Sequence, residues 1–150
     1  MENENNSKWP YLAGLFDGEG TCCIGTIKGK NAPCFVLYVK IANTDLRLMQ
    51  WLIKNFGGAY SVSSSKKDKK GHRLQYAWRP SGKANRKRLL ENLIPHLVIK
   101  KEQAILGLEF DSVYQTGVKL KSTDTVYIEA NKKREEIRNK MHNLNHKIKI

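Results

Sequence analysis

Leu12-Ala13-Gly14-Leu15-Phe16-Asp17-Gly18-Glu19-Gly20 is the stretch on which the reading of this chain turns. It closes a predicted helix running from about Trp9 to Gly18, with Pro10 in the first turn, where backbone amides have no intrahelical acceptor. Gly14 and Gly18 stand four residues apart and so share one helix face. With no side chain intervening, two such helices can approach backbone to backbone. A symmetry-related pair would bring its C-terminal ends together, and with them the two Glu19 carboxylates. Leu12, Gly14, Leu15 and Gly18 are the expected interface residues. Paired carboxylates suit a hard cation such as Mg2+, which takes oxygen ligands and keeps several waters. The plain alternative is a helix that packs on a neighbour within its own chain and ends at Gly20.

Working outward, Thr21 to Lys28 reads as a strand and Gly29 to Pro33 as a turn. Cys34 to Ile41 is a second strand, with Phe35, Leu37, Val39 and Ile41 on one face. Cys34, Val36, Tyr38 and Lys40 take the other. Leu46 to Phe56 has helical spacing and is stopped by Gly57-Gly58. Strands are expected near Ala59–Ser65 and His72–Arg79, joined by the basic tip Lys66-Lys67-Asp68-Lys69-Lys70-Gly71. On the second of these, Leu74, Tyr76 and Trp78 alternate with Arg73, Gln75, Ala77 and Arg79. Helices follow from about Ala84 to Leu93, broken by Pro95, and from about Lys100 to Tyr114. A last helix starts near Val126, after a cap at Ser122 to Asp124, and carries Ile128, Ile137, Met141 and Leu144. The order α-β-β-α-β-β-α, then further helices, is an α+β pattern with helices on one face of the sheet. No internal repeat or long linker divides the chain. A single domain over 1–150 is expected: an N-terminal tail at 1–8, a core at 9–116 and a helical extension at 117–150.

Twenty-seven Lys and Arg against fourteen Asp and Glu leave a formal charge of +13, with 40% hydrophobic residues. That excess makes the surface attractive to polyanions, of which nucleic acid is the commonest large one. A membrane surface is the rival, but no apolar run approaches a spanning helix and no lipidation motif is present. The N-terminus is polar and acidic, unlike a secretory signal or an Arg-rich transit peptide, so an intracellular protein is expected. Cys22, Cys23 and Cys34 have no CxxC spacing, which points to reduced thiols rather than a disulfide framework or zinc site.

The polar sheet face is the expected DNA-reading surface, because a β-ribbon fits the major groove, where base edges carry a unique code. By alternation it holds Tyr38, Lys40, Ser61, Arg73, Gln75 and Arg79. Thr21 and Cys23 would join it on the first strand unless a bulge at Gly25 reverses the parity beyond that point. Lys66, Lys67, Lys69 and Lys70 extend the same face toward phosphates, and Lys83, Arg86, Lys87 and Arg88 are further phosphate candidates. The plain alternative is a solvated polar face. Trp51 and Trp78 read as core aromatics. His142 and His146, four apart on a helix, have metal-ligand spacing without a third ligand, and a solvated basic tail is the preferred reading.

The nine residues from Leu12 to Gly20 resemble the LAGLIDADG motif, matching six of nine positions outright. Ile41-Ala42-Asn43-Thr44-Asp45, Phe56-Gly57-Gly58 and Leu97-Val98-Ile99-Lys100-Lys101-Glu102-Gln103-Ala104 also look like that family. The likeness covers about Trp9 to Phe110. It implies the LAGLIDADG homing-endonuclease fold, αββαββα with a saddle-shaped antiparallel sheet and extra C-terminal helices. It also implies a site-specific, intron-encoded type of enzyme that hydrolyses both strands of a long, roughly palindromic double-stranded DNA site. A single motif copy implies a homodimer. The implied metal ligands are Glu19 and the Gly18 carbonyl, holding Mg2+, with Mn2+ or Ca2+ able to occupy the same site. Glu19, Lys100 and Asn43 are the implied catalytic residues. Lys100 would stabilise charge at the scissile phosphate, and Asn43 would orient waters, a role compatible with capping the turn before Asp45. The alternative function is a binding module derived from the same fold, an RNA maturase or a transcription regulator that does not cut.

Overall fold

The computed structural model describes residues 3–29, 33–63, 74–113 and 124–146. Among the described residues nine elements follow one another: α1 (Asn3–Glu19), β1 (Gly20–Ile27), β2 (Cys34–Asn43), α2 (Leu46–Phe56), β3 (Ala59–Ser63), β4 (Gln75–Arg79), α3 (Gly82–Leu93), α4 (Lys101–Ser112) and α5 (Thr125–Asn145), with a 3-10 turn at Ile94–His96. The expected order is therefore observed. One boundary moves: α1 starts at Asn3 rather than near Trp9, which places Pro10 inside the helix. A proline there forfeits one ladder hydrogen bond.

The four strands form one sheet in the order β1-β2-β4-β3. β4 lies antiparallel between β2 and β3, with Ile41 opposite Trp78 and Tyr60 opposite the same Trp78. Residues paired in this way point to the same side. Phe35, Leu37, Val39 and Ile41 are all buried, as period-two alternation requires of a strand with one covered face. Of Leu74, Tyr76 and Trp78, which share a parity, Trp78 is fully buried and Leu74 is exposed.

The chain forms two compact units, Met1–Thr21 with Val39–Leu97, and Cys22–Tyr38 with Val98–Ile150. In the first, α1 packs on α3 and on the 3-10 turn, while α2 lies on β4. Leu12, Ala13, Phe16, Met49, Leu52, Trp78, Leu90 and Leu93 are completely enclosed. Phe56 is the hinge of an aromatic cluster, 5.0 Å from Trp9, 5.6 Å from Trp51 and 6.5 Å from Trp78 between ring centroids. Trp78 donates from Nε1 to the Gly57 carbonyl at 2.8 Å, so the buried indole nitrogen is satisfied. The stop after α2 needs glycine. Gly57 and Gly58 have φ of 69° and 82°, and a Cβ on Gly58 would run into the Arg79 carbonyl and the Trp78 indole.

In the second unit α4 packs against α5. Ala104, Gly107 and Phe110 of α4 are buried, as are Ile137 and Met141 of α5. The Arg134 guanidinium lies 4.4 Å from the centre of the Phe110 ring. Asn145 donates to the Cys22 carbonyl at 3.1 Å, and the Cys22 thiol donates to the Gln103 carbonyl at 3.4 Å, tying β1 to both helices.

Candidate nucleic-acid interface and metal centre

The motif helix has two contrasting sides. Leu12, Ala13 and Phe16 are enclosed, whereas Tyr11, Gly14, Gly18 and Glu19 are exposed and Leu15 is half-buried. This corrects one expectation: Leu12 is 0% exposed and belongs to the chain's own core, so its side chain is unavailable to a second copy. At about 100° per residue Gly14 and Gly18 lie roughly 200° and 240° around the helix from Leu12, on the opposite side, and Leu15, only about 60° from Leu12, falls between the two sides.

The glycines of the motif do different jobs. A Cβ on Gly20 would collide with the ring and carbonyl of Phe16, so close packing at the helix-to-strand junction demands glycine there. A Cβ on Gly14 or Gly18 would meet nothing within 4 Å. Neither has a positive φ. Among the described residues, then, nothing requires glycine at either position, although glycine is among the poorest helix formers.

Glu19 is the last residue of α1 and is exposed at the entry to β1. β1 and β2 are neighbours joined by a short connection, so the start of β1 and the end of β2 lie at one end of this hairpin. Asn43 ends β2, half-buried, opposite Tyr76. Its Oδ1 accepts from the Asp45 amide at 2.9 Å, forming the turn that leads into α2. Asp45 caps α2 by accepting from the Arg47 amide at 2.9 Å. Arg47 also binds this carboxylate through its side chain, Nη2 to Oδ2 at 2.6 Å. The guanidinium, and then the Arg47 amide, hold the Asp45 pKa down to about 2. The same pair raises that of Arg47. Sequence reading had not singled out this exposed guanidinium; its signal was an arginine two residues after an N-cap aspartate. Lys100 is half-buried at the N-cap position of α4, its carbonyl accepting from Ala104, and belongs to the second unit.

Four of the residues expected on the reading face share one side of the sheet. Ser61 pairs with Ala77, and Ala77 with Ala42, so by alternation Lys40, Ser61, Gln75 and Arg79 share the face opposite Ile41 and Trp78. Ser61, Gln75 and Arg79 are exposed and Lys40 is half-buried. Tyr38 lies two residues before Lys40, on the same side of β2. Its ring covers Gly25 so closely that a Cβ there would sit 2.7 Å from Tyr38 Cε2. β1 alternates buried and half-buried from Gly20 to Gly25, so Thr21 and Cys23 keep the parity of Gly25 and no reversal occurs up to that residue. Arg73 and Lys66, Lys67, Lys69 and Lys70 lie outside the described residues. Lys83, Arg86, Lys87 and Arg88 are on α3, which follows the other end of β4.

One carboxylate and one peptide carbonyl per chain, from Glu19 and Gly18, would suit the preference of Mg2+ for a few hard oxygen ligands supplemented by water. Among the described residues, no group of three or more His, Cys, Asp or Glu side chains converges in one chain. His142 and His146 stack with ring centroids 4.0 Å apart, and His146 Nδ1 faces the His142 carbonyl at 2.8 Å. Cys22 is buried, Cys23 half-buried and Cys34 exposed, and none of the three is in a disulfide. Among the described residues no helix is long and apolar enough to cross a membrane.

An exposed acidic helix end beside an open sheet face is set in a fold shared with solved proteins: the chain has the fold of the LAGLIDADG homing endonucleases. It resembles the homing endonuclease I-CvuI, crystallised with a DNA target and Mg, at a TM-score of 0.73 and 17% identity over 98% of this chain and 87% of that one. It resembles the archaeal intron-encoded homing endonuclease I-Vdi141I, complexed with DNA, at 0.71 and 13% over 96% and 87%. The LAGLIDADG homing endonuclease I-GzeII, in complex with its DNA target, matches at 0.64 and 16%, over 89% of this chain but 44% of that one. No family model and no curated protein sequence matches the chain.

Proposed function

We propose that this chain is a homodimeric, metal-dependent homing endonuclease that cuts both strands of a long, roughly palindromic DNA site. One observation carries the reading: Gly14 and Gly18 are exposed glycines that no described residue of the chain requires, and an exposed Glu19 follows them at the end of the same helix. Glycine at both places costs helix stability with no return inside one chain, which is the signature expected of a close helix–helix contact made by a second copy. That contact would set two Glu19 carboxylates beside each other. The match to less than half of I-GzeII agrees with one copy supplying half of such an assembly.

On this reading the basic face of Lys40, Ser61, Gln75 and Arg79, with Tyr38, takes the major groove, and two copies read the two half-sites. Glu19 and the Gly18 carbonyl would hold Mg2+, which supplies an activated water and stabilises a leaving oxygen. Glu19 keeps its carboxylate at the helix end, aimed away from the core. Asn43, with Oδ1 committed to the Asp45 amide, has its NH2 group left to orient water. Lys100 would place a cation at the phosphate that gains charge. Lys66, Lys67, Lys69 and Lys70, outside the described residues, are the proposed additional phosphate contacts.

The test is direct. Purified protein is mixed with DNA spanning the uninterrupted insertion junction of its own gene, with Mg2+ and then with EDTA. Cutting in Mg2+ alone supports the proposal. Tight binding with uncut DNA under both conditions would instead support a binding module, a maturase or regulator.

A further inference from the structure

The proposed duplex surface leaves one basic region unused, on the other side of β4. Arg79 points to the open sheet face; its neighbour Trp78 points to the helices, where it floors a cleft of about 120 Å3. Lys8, Trp9, Phe56, Asn85 and Arg88 line the same cleft. Trp9 and Phe56 are half-buried and line it with their neighbours. The Lys8 ammonium lies 5.4 Å from the Phe56 ring centre and 6.0 Å from that of Trp9. Arg88 is exposed on α3, a helix with four basic residues against the single acid Glu91, itself 3.8 Å from Lys87. A duplex lying on the open face cannot reach these groups through the sheet.

Aromatic faces beside two flexible cations are the combination that holds an unstacked base together with its phosphate. The size of the cleft admits one base rather than a base pair. An acidic peptide would use the cations but not the rings, and an apolar ligand would use the rings but not the cations. We propose that the Lys8–Trp9–Phe56–Arg88 cleft is a second nucleic-acid site, which takes a nucleotide of a single strand. It is independent of the open sheet face.

The test uses the whole chain and tryptophan fluorescence, with oligo(dU) and oligo(U) of equal length as probes. Both strands should quench the emission, and an excess of unrelated duplex should leave the quenching in place. Lys8→Ala should weaken single-strand binding several-fold, as loss of a phosphate contact implies, and leave duplex binding unchanged; adding Arg88→Ala should bring the single-strand loss to about tenfold or more. Trp9→Phe should retain the fold and weaken binding less. Lys40→Ala with Arg79→Ala should do the reverse of the first pair, weakening duplex binding only. Tighter binding of oligo(U) than oligo(dU) would assign RNA as the strand; equal binding would assign base and phosphate alone, and either supports the site. No quenching, full competition by duplex, or wild-type single-strand affinity in the Lys8/Arg88 variant overturns it. None of these outcomes depends on cleavage, so the result stands apart from the nuclease assay.

Discussion

Replacing Gly14 and Gly18 by alanine should strengthen the single chain and break the dimer, two effects of opposite sign from one change. A Cβ at either position meets nothing within 4 Å, and neither glycine has a positive φ, so alanine enters without strain. The gain in helix propensity is about 0.5–1 kcal/mol for Gly14, in the helix interior. It is less for Gly18, which lies in the last turn of α1. Together these amount to about 1–1.5 kcal/mol, or roughly 2–6 °C in Tm for a chain of this size. In a dimer joined through this face, the same substitution inserts four methyl groups between close backbones. At about 1–3 kcal/mol for each overpacked site, the interface should weaken by at least about a hundredfold. Sedimentation equilibrium reads the association. Urea unfolding across a dilution series reads the chain itself, since dimerisation adds its own concentration-dependent stability. Wild type should show a midpoint that falls on dilution; the double variant should show a concentration-independent midpoint above the diluted wild type. A variant that still dimerises with wild-type affinity would refute the reasoning, and so would one whose isolated chain is destabilised.

Other outcomes can be checked independently. Glu19→Gln should retain DNA binding and abolish Mg2+-dependent cutting in a plasmid assay; cutting near the wild-type rate would remove Glu19 from the metal site. Lys40→Ala with Arg79→Ala should lower affinity for the target duplex and narrow its advantage over unrelated duplex, measured by competition titration, because base-edge contacts carry the sequence readout; an equal loss for both duplexes would make these two residues phosphate contacts instead. The Asp45 carboxylate, held down to about 2, favours the folded state above the ordinary carboxylate pKa, and that contribution fades as pH falls from about 4 toward 2. The unfolding midpoint should therefore lose part of its acid dependence in Asp45→Asn, which keeps the cap; an unchanged profile would show that this pair does not couple to folding. Gly25→Val should displace the Tyr38 ring and destabilise the chain by about 1–3 kcal/mol, the usual cost of overpacking, in chemical denaturation. Tyr38→Ala in the same chain should recover most of that loss.

The sequence by itself determined which elements form and which side of each strand is covered. Phe35, Leu37, Val39 and Ile41 alternate, and two residues per repeat leave only one assignment of faces once one face is apolar. The places of Lys40, Ser61, Gln75 and Arg79 follow from the same parity. So did the stop at Gly57-Gly58, although its cause was hidden: the approach of Arg79 and Trp78 needs tertiary coordinates. The motif helix was legible as a helix, but not its sides. Leu12 and Leu15 look alike in sequence, and only packing against the rest of the chain made Leu12 core and left Leu15 half-buried. Pro10 misled the start of α1, which runs back to Asn3 with the proline inside it. The glycines show the same divide. Gly14, Gly18 and Gly20 are one residue type in one motif, yet only the fold separated Gly20, pressed against Phe16, from two glycines with open space around them. Sequence records where a side chain is missing; what fills the space is decided by the elements that meet there.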